Sequence, residues 1–87
     1  MIIDPDFEIV NIEDESILIP VGERALSFKG VVALSETAAL LIRNMSDNIT
    51  REQLLNILLE NYSVDPMTAS EDLDDWLESL DELGLLS

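Results

Sequence analysis

The chain has 87 residues, 47% of them apolar, and carries 19 acidic against 4 basic side chains for a formal net charge of −15. A chain of this length forms one small domain with a single core, and its apolar share argues against disorder. It has no cysteine and no histidine, which excludes disulfides, thiolate chemistry and the commonest general base and metal ligand.

The net charge repels phosphate backbones and anionic membrane surfaces, and it attracts basic partners, although solubility alone would also account for it. The N-terminal residues have no secretory signal pattern, and no apolar run approaches the roughly 20 residues of a membrane span. We therefore expect a cytoplasmic protein with no nucleic acid and no membrane among its partners.

The first third of the chain alternates apolar and polar residues, which predicts β-strands with one buried face. Pro20 cannot donate a ladder hydrogen bond, so it is placed at the end or the outer edge of its strand. A polar turn is predicted at residues 13–15 and a longer connection at residues 22–30. The predicted strands are residues 7–12, 16–21 and 31–34.

From Ser35 onward the apolar spacing changes to the period of helices, and polar residues mark three helix starts. Ser35 is the first N-cap, and Thr50 with Gln53 forms a capping box for the second helix. Asp65 is the third N-cap, with proline at the first helical position, and Gly84 ends that helix. The residues predicted to face inward are Ala38, Leu41, Ile42 and Met45 in the first helix, Leu54, Ile57, Leu58 and Tyr62 in the second, and Leu73, Trp76, Leu77, Leu80 and Leu83 in the third.

Strands followed by helices indicate an α+β fold, with a three-stranded antiparallel sheet followed by three helices packed on one face. The second and third helices are separated by a short turn, which makes the arrangement winged helix-turn-helix-like. We expect residues 1–6 to be a flexible N-terminus and residues 7–87 to form the single folded domain.

A helix-turn-helix arrangement suggests DNA binding as a function, but the acidic charge of the chain argues against it. Residues 65–87 hold eight acidic side chains and no lysine or arginine, whereas a recognition helix needs basic or amide groups facing bases and phosphates. Calcium binding is also disfavoured, because the cluster of Asp72, Asp74 and Asp75 has a leucine, Leu77, where an EF-hand loop needs glycine. The cluster indicates a solvated helix face, and we expect no metal site.

A prosthetic group is not expected, because neither serine in a carrier-like context lies at a helix start. Ser79 falls within the third predicted helix and Ser16 opens a strand. Catalysis by paired carboxylates would need a desolvated pocket that raises one pKa, and the acidic residues lie on polar faces. We therefore expect no catalytic residue and no cofactor.

The segment from Val31 to Ala33 is short, apolar and free of charge and proline. At the edge of a sheet, such a strand presents unpaired backbone N–H and C=O groups that can accept an extended peptide as an added strand. The same pattern fits a central core strand equally well, so the pattern alone leaves both interpretations open.

Residues 30–38, Gly-Val-Val-Ala-Leu-Ser-Glu-Thr-Ala, resemble the "glycine, apolar pair, x, Leu-Asn-Glu-Thr-Ala" segment of the PqqD family. This family comprises the recognition elements for precursors of ribosomally synthesised and post-translationally modified peptides (RiPPs). Residues 50–53 resemble its capped second helix, residues 62–64 its Tyr-x-Val exit, and residues 71–86 its third helix. The resemblance extends over residues 7–86.

The sequence departs from the family pattern at four places, one of which is the connection at residues 22–29, which is longer than in the shortest relatives. Ser35 replaces the usual asparagine, Leu41-Ile42 replaces an Ile-Trp pair, and residues 46–48 replace an Asp-Gly turn. These departures separate the chain from the member that serves the pyrroloquinoline quinone pathway.

The resemblance implies a peptide chaperone in which the leader of a precursor peptide adds as a strand beside the third strand. The leader would then be presented to a maturation enzyme such as a radical SAM enzyme, a lasso peptidase or a cyclodehydratase. Carried onto this chain, the resemblance assigns backbone pairing to Val31, Val32 and Ala33. It assigns the groove wall to Ala69, Asp72, Trp76 and Ser79, the support beneath it to Leu73 and Leu80, and the binding of basic leader residues to Asp72 and Asp75.

Two of the assignments on the third helix have a simpler alternative. Trp76 fits a core position, and Asp72 fits a solvated acid. For the whole chain, the alternative is a winged-helix protein-interaction module that binds a basic protein partner, not DNA, through its acidic third helix. An apolar edge strand permits either a monomer or a strand-paired dimer.

Overall fold

The computed structural model describes all 87 residues and contains three strands and four helices. The elements are β1 (Phe7–Ile12), β2 (Glu15–Pro20), α1 (Arg24–Ser27), β3 (Val32–Leu34), α2 (Glu36–Asn44), α3 (Arg51–Asn61) and α4 (Pro66–Glu82). The strands form one antiparallel sheet in the order β1-β2-β3. The predicted α+β fold is confirmed, with one addition. The short helix α1 interrupts the connection between β2 and β3, and it was not predicted because none of its residues is buried.

The three predicted helix starts are confirmed by their capping hydrogen bonds. The Ser35 hydroxyl accepts from the Ala38 N–H at 3.1 Å, and the Asp65 carboxylate accepts from the Thr68 N–H at 3.1 Å. Thr50 makes both hydrogen bonds of its capping box with residue 53. These side chains satisfy N–H groups that have no partner within the helix, so local chemistry sets where each helix begins.

Several details of the predicted elements differ from the structure, among them two strand boundaries: β2 ends at Pro20 rather than at residue 21, and β3 begins at Val32 rather than at residue 31. The β1–β2 turn contains only Glu13 and Asp14, with Glu13 at a φ of +57°, so the second strand begins at Glu15. Leu83 was predicted to face inward, but it is 52% exposed. The prediction was wrong because α4 ends at Glu82 and Gly84 turns the chain away at a φ of +73°.

The core consists of two apolar clusters that meet along α4. One lies between the sheet and the helices, and the other lies among the helices. Trp76, Leu77 and Met45 pack against both clusters. The buried members are Ile3, Phe7, Leu18, Ile42, Leu80 and Leu85 in the first cluster, and Leu41, Leu54, Leu58 and Leu73 in the second.

α4 is the longest helix and is strongly amphipathic. Ala69, Leu73 and Leu80 are buried along one face, while its acidic residues are exposed. This division places an apolar stripe on the core and leaves the carboxylates in water. No helix of the chain combines the length and the apolar character needed to cross a bilayer.

Residues 1–6, predicted to be a flexible N-terminus, lie against the C-terminal residues. Ile3 is only 8% exposed and forms an isolated β-bridge with Leu86. The Asp4 N–H donates to the Leu85 C=O at 2.8 Å. The pairing joins the two ends of the chain, so no local pattern in the first six residues signals it.

Candidate functional site

β3 lies at an edge of the sheet. It pairs with β2 on one side, and no strand lies on its other side. The segment is therefore an edge strand and not a central core strand. Val31, at 58% exposed, precedes the strand, and Ala33 is exposed within it.

The direction of the backbone groups in β3 follows from the pairing of β1 with β2. The Val21 N–H donates to the Asp6 C=O at 2.7 Å, which marks those two residues as a hydrogen-bonded pair. In an antiparallel ladder, hydrogen-bonded and non-hydrogen-bonded pairs alternate. Ile17 therefore directs its N–H and C=O toward β1, whereas Ser16 and Leu18 direct theirs toward β3.

The same alternation sets the direction of the backbone N–H and C=O groups in β3. Val32 and Leu34 stand opposite Leu18 and Ser16, so their backbone groups are used by β2. Ala33 directs its N–H and C=O to the open edge, and by continuation of the pattern so does Val31. The resemblance assigns three residues to backbone pairing with the leader, but one of them, Val32, directs its N–H and C=O toward β2 and not toward the open edge.

The inner side chains of β3 connect the edge to α4. Val32 packs against the sheet-side core cluster, which includes Leu80 and is also contacted by Trp76. Leu73 and Leu80 are 1% and 4% exposed, and Trp76 is half-buried. β3 and α4 therefore meet in one cluster, in which Leu80 is buried and the indole of Trp76 is partly accessible.

A cavity of about 180 Å³ lies between the start of α2, which follows β3 directly, and the first half of α4. Its lining is mainly apolar, and Asp72 contributes a charge to it. Ala69 and Asp72 were assigned to this region from the sequence. The lining residues are Thr37, Leu58, Tyr62, Val64, Ala69 and Asp72.

Four of the lining residues were not identified as site residues from the sequence. Thr37 and Leu58 come from two different helices, and Tyr62 and Val64 follow α3. Thr37 and the Tyr62–Val64 segment carried a signal only as parts of the family resemblance. Periodicity identifies a buried face of one helix, but it does not report which segments converge on one cavity.

The acidic residues of α4 have different partners. Arg51 holds Asp74 through two hydrogen bonds, from Nε to Oδ1 at 2.6 Å and from Nη2 to Oδ2 at 3.0 Å. This pair ties α3 to α4. Asp72 and Asp75 are exposed and make no ion pair, and the Ser79 hydroxyl donates to the Asp75 C=O at 3.0 Å. Of the three aspartates in the cluster, Asp72, beside the cavity, and Asp75 are therefore free.

The Arg51–Asp74 pair makes stability depend on pH. The hydrogen bond from Arg51 lowers the pKa of Asp74 in the folded state. The stabilisation is therefore present above the unfolded-state pKa of about 3.9 and is lost as the pH falls through the lowered folded-state value. We expect Asp74→Asn to lower the melting temperature at pH 7 and to approach the wild type as the pH falls below about 3.9, as measured by circular dichroism. Asp75→Asn, which removes the same charge from an unpaired position, is the control, and a difference that persists at low pH would contradict this expectation.

A second cavity, of about 380 Å³, is larger but lies away from β3. It is more open and mostly polar, and it is formed by the α2–α3 turn and the exposed side of α3. No residue of β3 or α4 reaches it, and Gln53 in its lining is already engaged in helix capping. The smaller cavity and the open edge of the sheet are therefore the candidate functional site.

The chain matches the family described as "Coenzyme PQQ synthesis protein D (PqqD)" over residues 10–86. A solved structure described as "TbiB1 in Complex with the TbiA(beta) Leader Peptide" has a TM-score of 0.80 and 23% identity, and the match covers 100% of this chain and 95% of that chain. Another, "Lasso peptide synthetase B1 complexed with the leader peptide", has a TM-score of 0.76 and 22% identity, covering 95% and 92%. A comparison with curated proteins gives no match. The structural matches show the fold, and because the family match spans nearly the whole sequence, the chain belongs to the PqqD family.

Proposed function

We propose that this protein is a peptide chaperone that binds the leader of a ribosomally synthesised precursor peptide as an added strand beside β3. The observation that carries the proposal is the open backbone of Ala33 at the edge of the sheet, in a strand whose inner side chain, Val32, packs on the same core cluster as α4. Membership of the PqqD family supports it. The two similar solved structures support it further, because both were determined with a leader peptide bound.

In the proposed complex, the backbone provides affinity that depends little on sequence. A leader residue opposite Ala33 exchanges two hydrogen bonds with it, and a second residue does the same at Val31. Each such bond contributes about 0.5–1.5 kcal/mol net. Val32 contributes its side chain to the groove and keeps its backbone bonds with β2.

The side chains of the leader then divide between two faces. Directly opposite residues in an antiparallel pair share a face, so the leader residue opposite Ala33 points away from the helices. Its two neighbours point inward, one toward the cavity at Ala69 and Asp72 and the other toward Trp76. The leader is therefore expected to carry apolar residues two positions apart.

Charge adds selectivity rather than most of the affinity. Asp72 and Asp75 are unpaired and exposed, so each contributes about 0–1 kcal/mol toward a leader lysine or arginine. Because backbone pairing dominates, binding weakens only moderately as the salt concentration rises.

The proposed role requires no chemistry from the chain itself. It lacks histidine and cysteine, and its part is to hold the leader while a maturation enzyme, of the radical SAM, lasso peptidase or cyclodehydratase class, acts on the attached core peptide. We place this activity in the cytoplasm, where precursor peptides are synthesised. The net charge of −15 opposes self-association, so we propose that a monomer binds the leader.

A titration followed by NMR tests the proposal. The probe is the synthetic leader of the precursor peptide encoded beside the gene for this chain, added to ¹⁵N-labelled protein. We expect the Val31 and Ala33 amides to shift strongly and the Val32 amide less. Responses at the outward-facing amides of β1, such as Ile9 and Asn11, with no change at Ala33, would place the peptide on the opposite edge.

The alternative function, capture of a basic protein by the acidic face of α4, predicts a different response to charge removal. The double variant Asp72→Asn/Asp75→Asn leaves the Arg51–Asp74 pair intact. In our proposal it weakens leader binding by at most about 30-fold, since each exposed pair contributes about 0–1 kcal/mol. Complete loss of binding, measured by fluorescence anisotropy of a labelled leader, would favour the alternative.

A further inference from the structure

The face of the sheet turned away from the helices carries a continuous apolar row. Val10 pairs with Ile17, and Ile17 pairs with Ala33, so the three side chains lie side by side across all three strands. We call these three residues the outer row. The inner face of the same strands, with Phe7 and Leu18, is buried in the core.

No part of the chain packs over the outer row as it does over the inner face. The outer row belongs to neither core cluster, although both clusters include apolar residues that are only partly buried. Val10 and Ile17 are half-buried, Ala33 is exposed, and the neighbouring Ile12, on the same face, is 56% exposed. An uncovered apolar sheet face with β-branched residues is typical of an interaction surface.

Carboxylates border the outer row. Glu8 and Glu15 lie on the same face, opposite Ile19 and Ile12, and Glu13 and Asp14 form the adjoining turn. None of these four acids makes an ion pair. The complementary surface is therefore an apolar patch bordered by lysine or arginine. A second copy of this chain would bring the same carboxylates and the same net charge of −15, so it does not fit.

We propose that the outer row docks the maturation enzyme that acts on the bound precursor, through an apolar patch with a basic border on that enzyme. This inference rests on the proposed leader binding. When a leader strand lies beside β3, the leader residue opposite Ala33 joins the outer row. The outer row then extends over four strands and not three. The enzyme therefore binds the leader-loaded chain more tightly than the free chain.

The experiment separates docking from leader binding. The variant Val10→Thr/Ile17→Thr removes apolar surface from the outer row while keeping β-branched residues in the strands. The control is Leu26→Thr, which alters a 90% exposed leucine on α1, outside the row. For each protein, leader affinity is measured by fluorescence anisotropy, folding by thermal unfolding, and turnover by conversion of the precursor with the purified maturation enzyme encoded beside the gene for this chain.

We expect leader affinity to change by less than about twofold and precursor conversion at limiting enzyme to fall at least about tenfold, a typical loss for central interface residues. The control converts the precursor normally. Conversion at the wild-type rate by the folded double variant would overturn the inference. If that variant does not fold, Ile12→Lys introduces a charge on the same face at an exposed position, and it must also reduce conversion.

Two further outcomes are informative. If the wild type fails to bind the leader, the proposed function itself is overturned, independently of the docking face. If size-exclusion chromatography shows a wild-type dimer that the double variant loses, the outer row is assigned to a second copy and the docking inference is overturned. Equal affinity of the enzyme for the free and the loaded chain, measured by surface plasmon resonance, would overturn the coupling to leader occupancy.

Discussion

Replacing Ala33 with proline is expected to abolish detectable leader binding while leaving the domain folded. Proline lacks the N–H group that Ala33 directs to the open edge, and its ring occupies the space where the leader backbone must lie. The leader C=O opposite it is left without a partner, at a cost of about 1–3 kcal/mol, which with the clash exceeds the contribution of any single remaining contact. Anisotropy of a labelled leader measures the loss.

Val32→Pro is the matched control for this variant, because it places the same residue one position earlier in the same strand. The Val32 N–H is directed toward β2, so proline there breaks the β2–β3 ladder and removes an inward side chain. We expect Val32→Pro to lower the melting temperature far more than Ala33→Pro. If Ala33→Pro instead unfolds the domain while Val32→Pro remains stable, Val32 rather than Ala33 directs its backbone groups to the open edge.

Replacing Leu73 with alanine is expected to have the largest effect on stability. Leu73 is 1% exposed and packs in the helical cluster with Leu41, Leu54 and Leu58. Truncating a fully buried leucine leaves a cavity and costs about 2–5 kcal/mol. Small domains are stable by only about 5–15 kcal/mol, so much of the total is lost.

Thermal unfolding followed by circular dichroism measures the effect. For a domain of this size each kcal/mol lowers the melting temperature by about 4–8 °C, so we expect a decrease of at least about 8 °C. Met67→Ala is the control, since Met67 lies on the same helix and is 71% exposed. Equal melting temperatures for the two variants would show that α4 does not pack on the core through Leu73.

The same variant tests how the groove depends on the core. Leu73 lies beneath the part of α4 that carries Asp72, so its loss loosens the helix without removing any group that contacts the leader in the proposed complex. We expect leader affinity, measured at a temperature where Leu73→Ala remains folded, to fall less than for Ala33→Pro. This ordering separates a residue that supports the site from one that forms it.

The positions of the helices could be predicted because the signals that set them are local. Ser35, Thr50 and Asp65 each cap the N–H groups that follow within three residues, and these contacts form whatever the rest of the chain does. The apolar periodicity likewise identified Leu73 and Leu80 as buried. Leu83 was misassigned because periodicity continues one residue beyond the point where the helix ends.

The candidate site could be predicted only in part, because it is assembled from distant segments. Ala69 and Asp72, which the sequence assigned to the groove wall, lie beside a cavity, but the residues opposite them on α2 and α3 carry no signal of that position. Asp72 and Asp74 look alike in the sequence. Arg51, 23 residues from Asp74 along the chain, makes one a structural partner and leaves the other free.

Composition, capping and periodicity are properties of neighbouring residues, and they were enough to identify a small acidic α+β domain with a short apolar strand before its three main helices. The tertiary structure was needed to show that β3 is an edge strand and that Ala33 rather than Val32 directs its backbone groups outward. It also decided that Ile3 pairs with Leu86 and that Val10, Ile17 and Ala33 form one row. The physical reason is that strand order and hydrogen-bond alternation are relations between strands, and no single segment of the chain contains them.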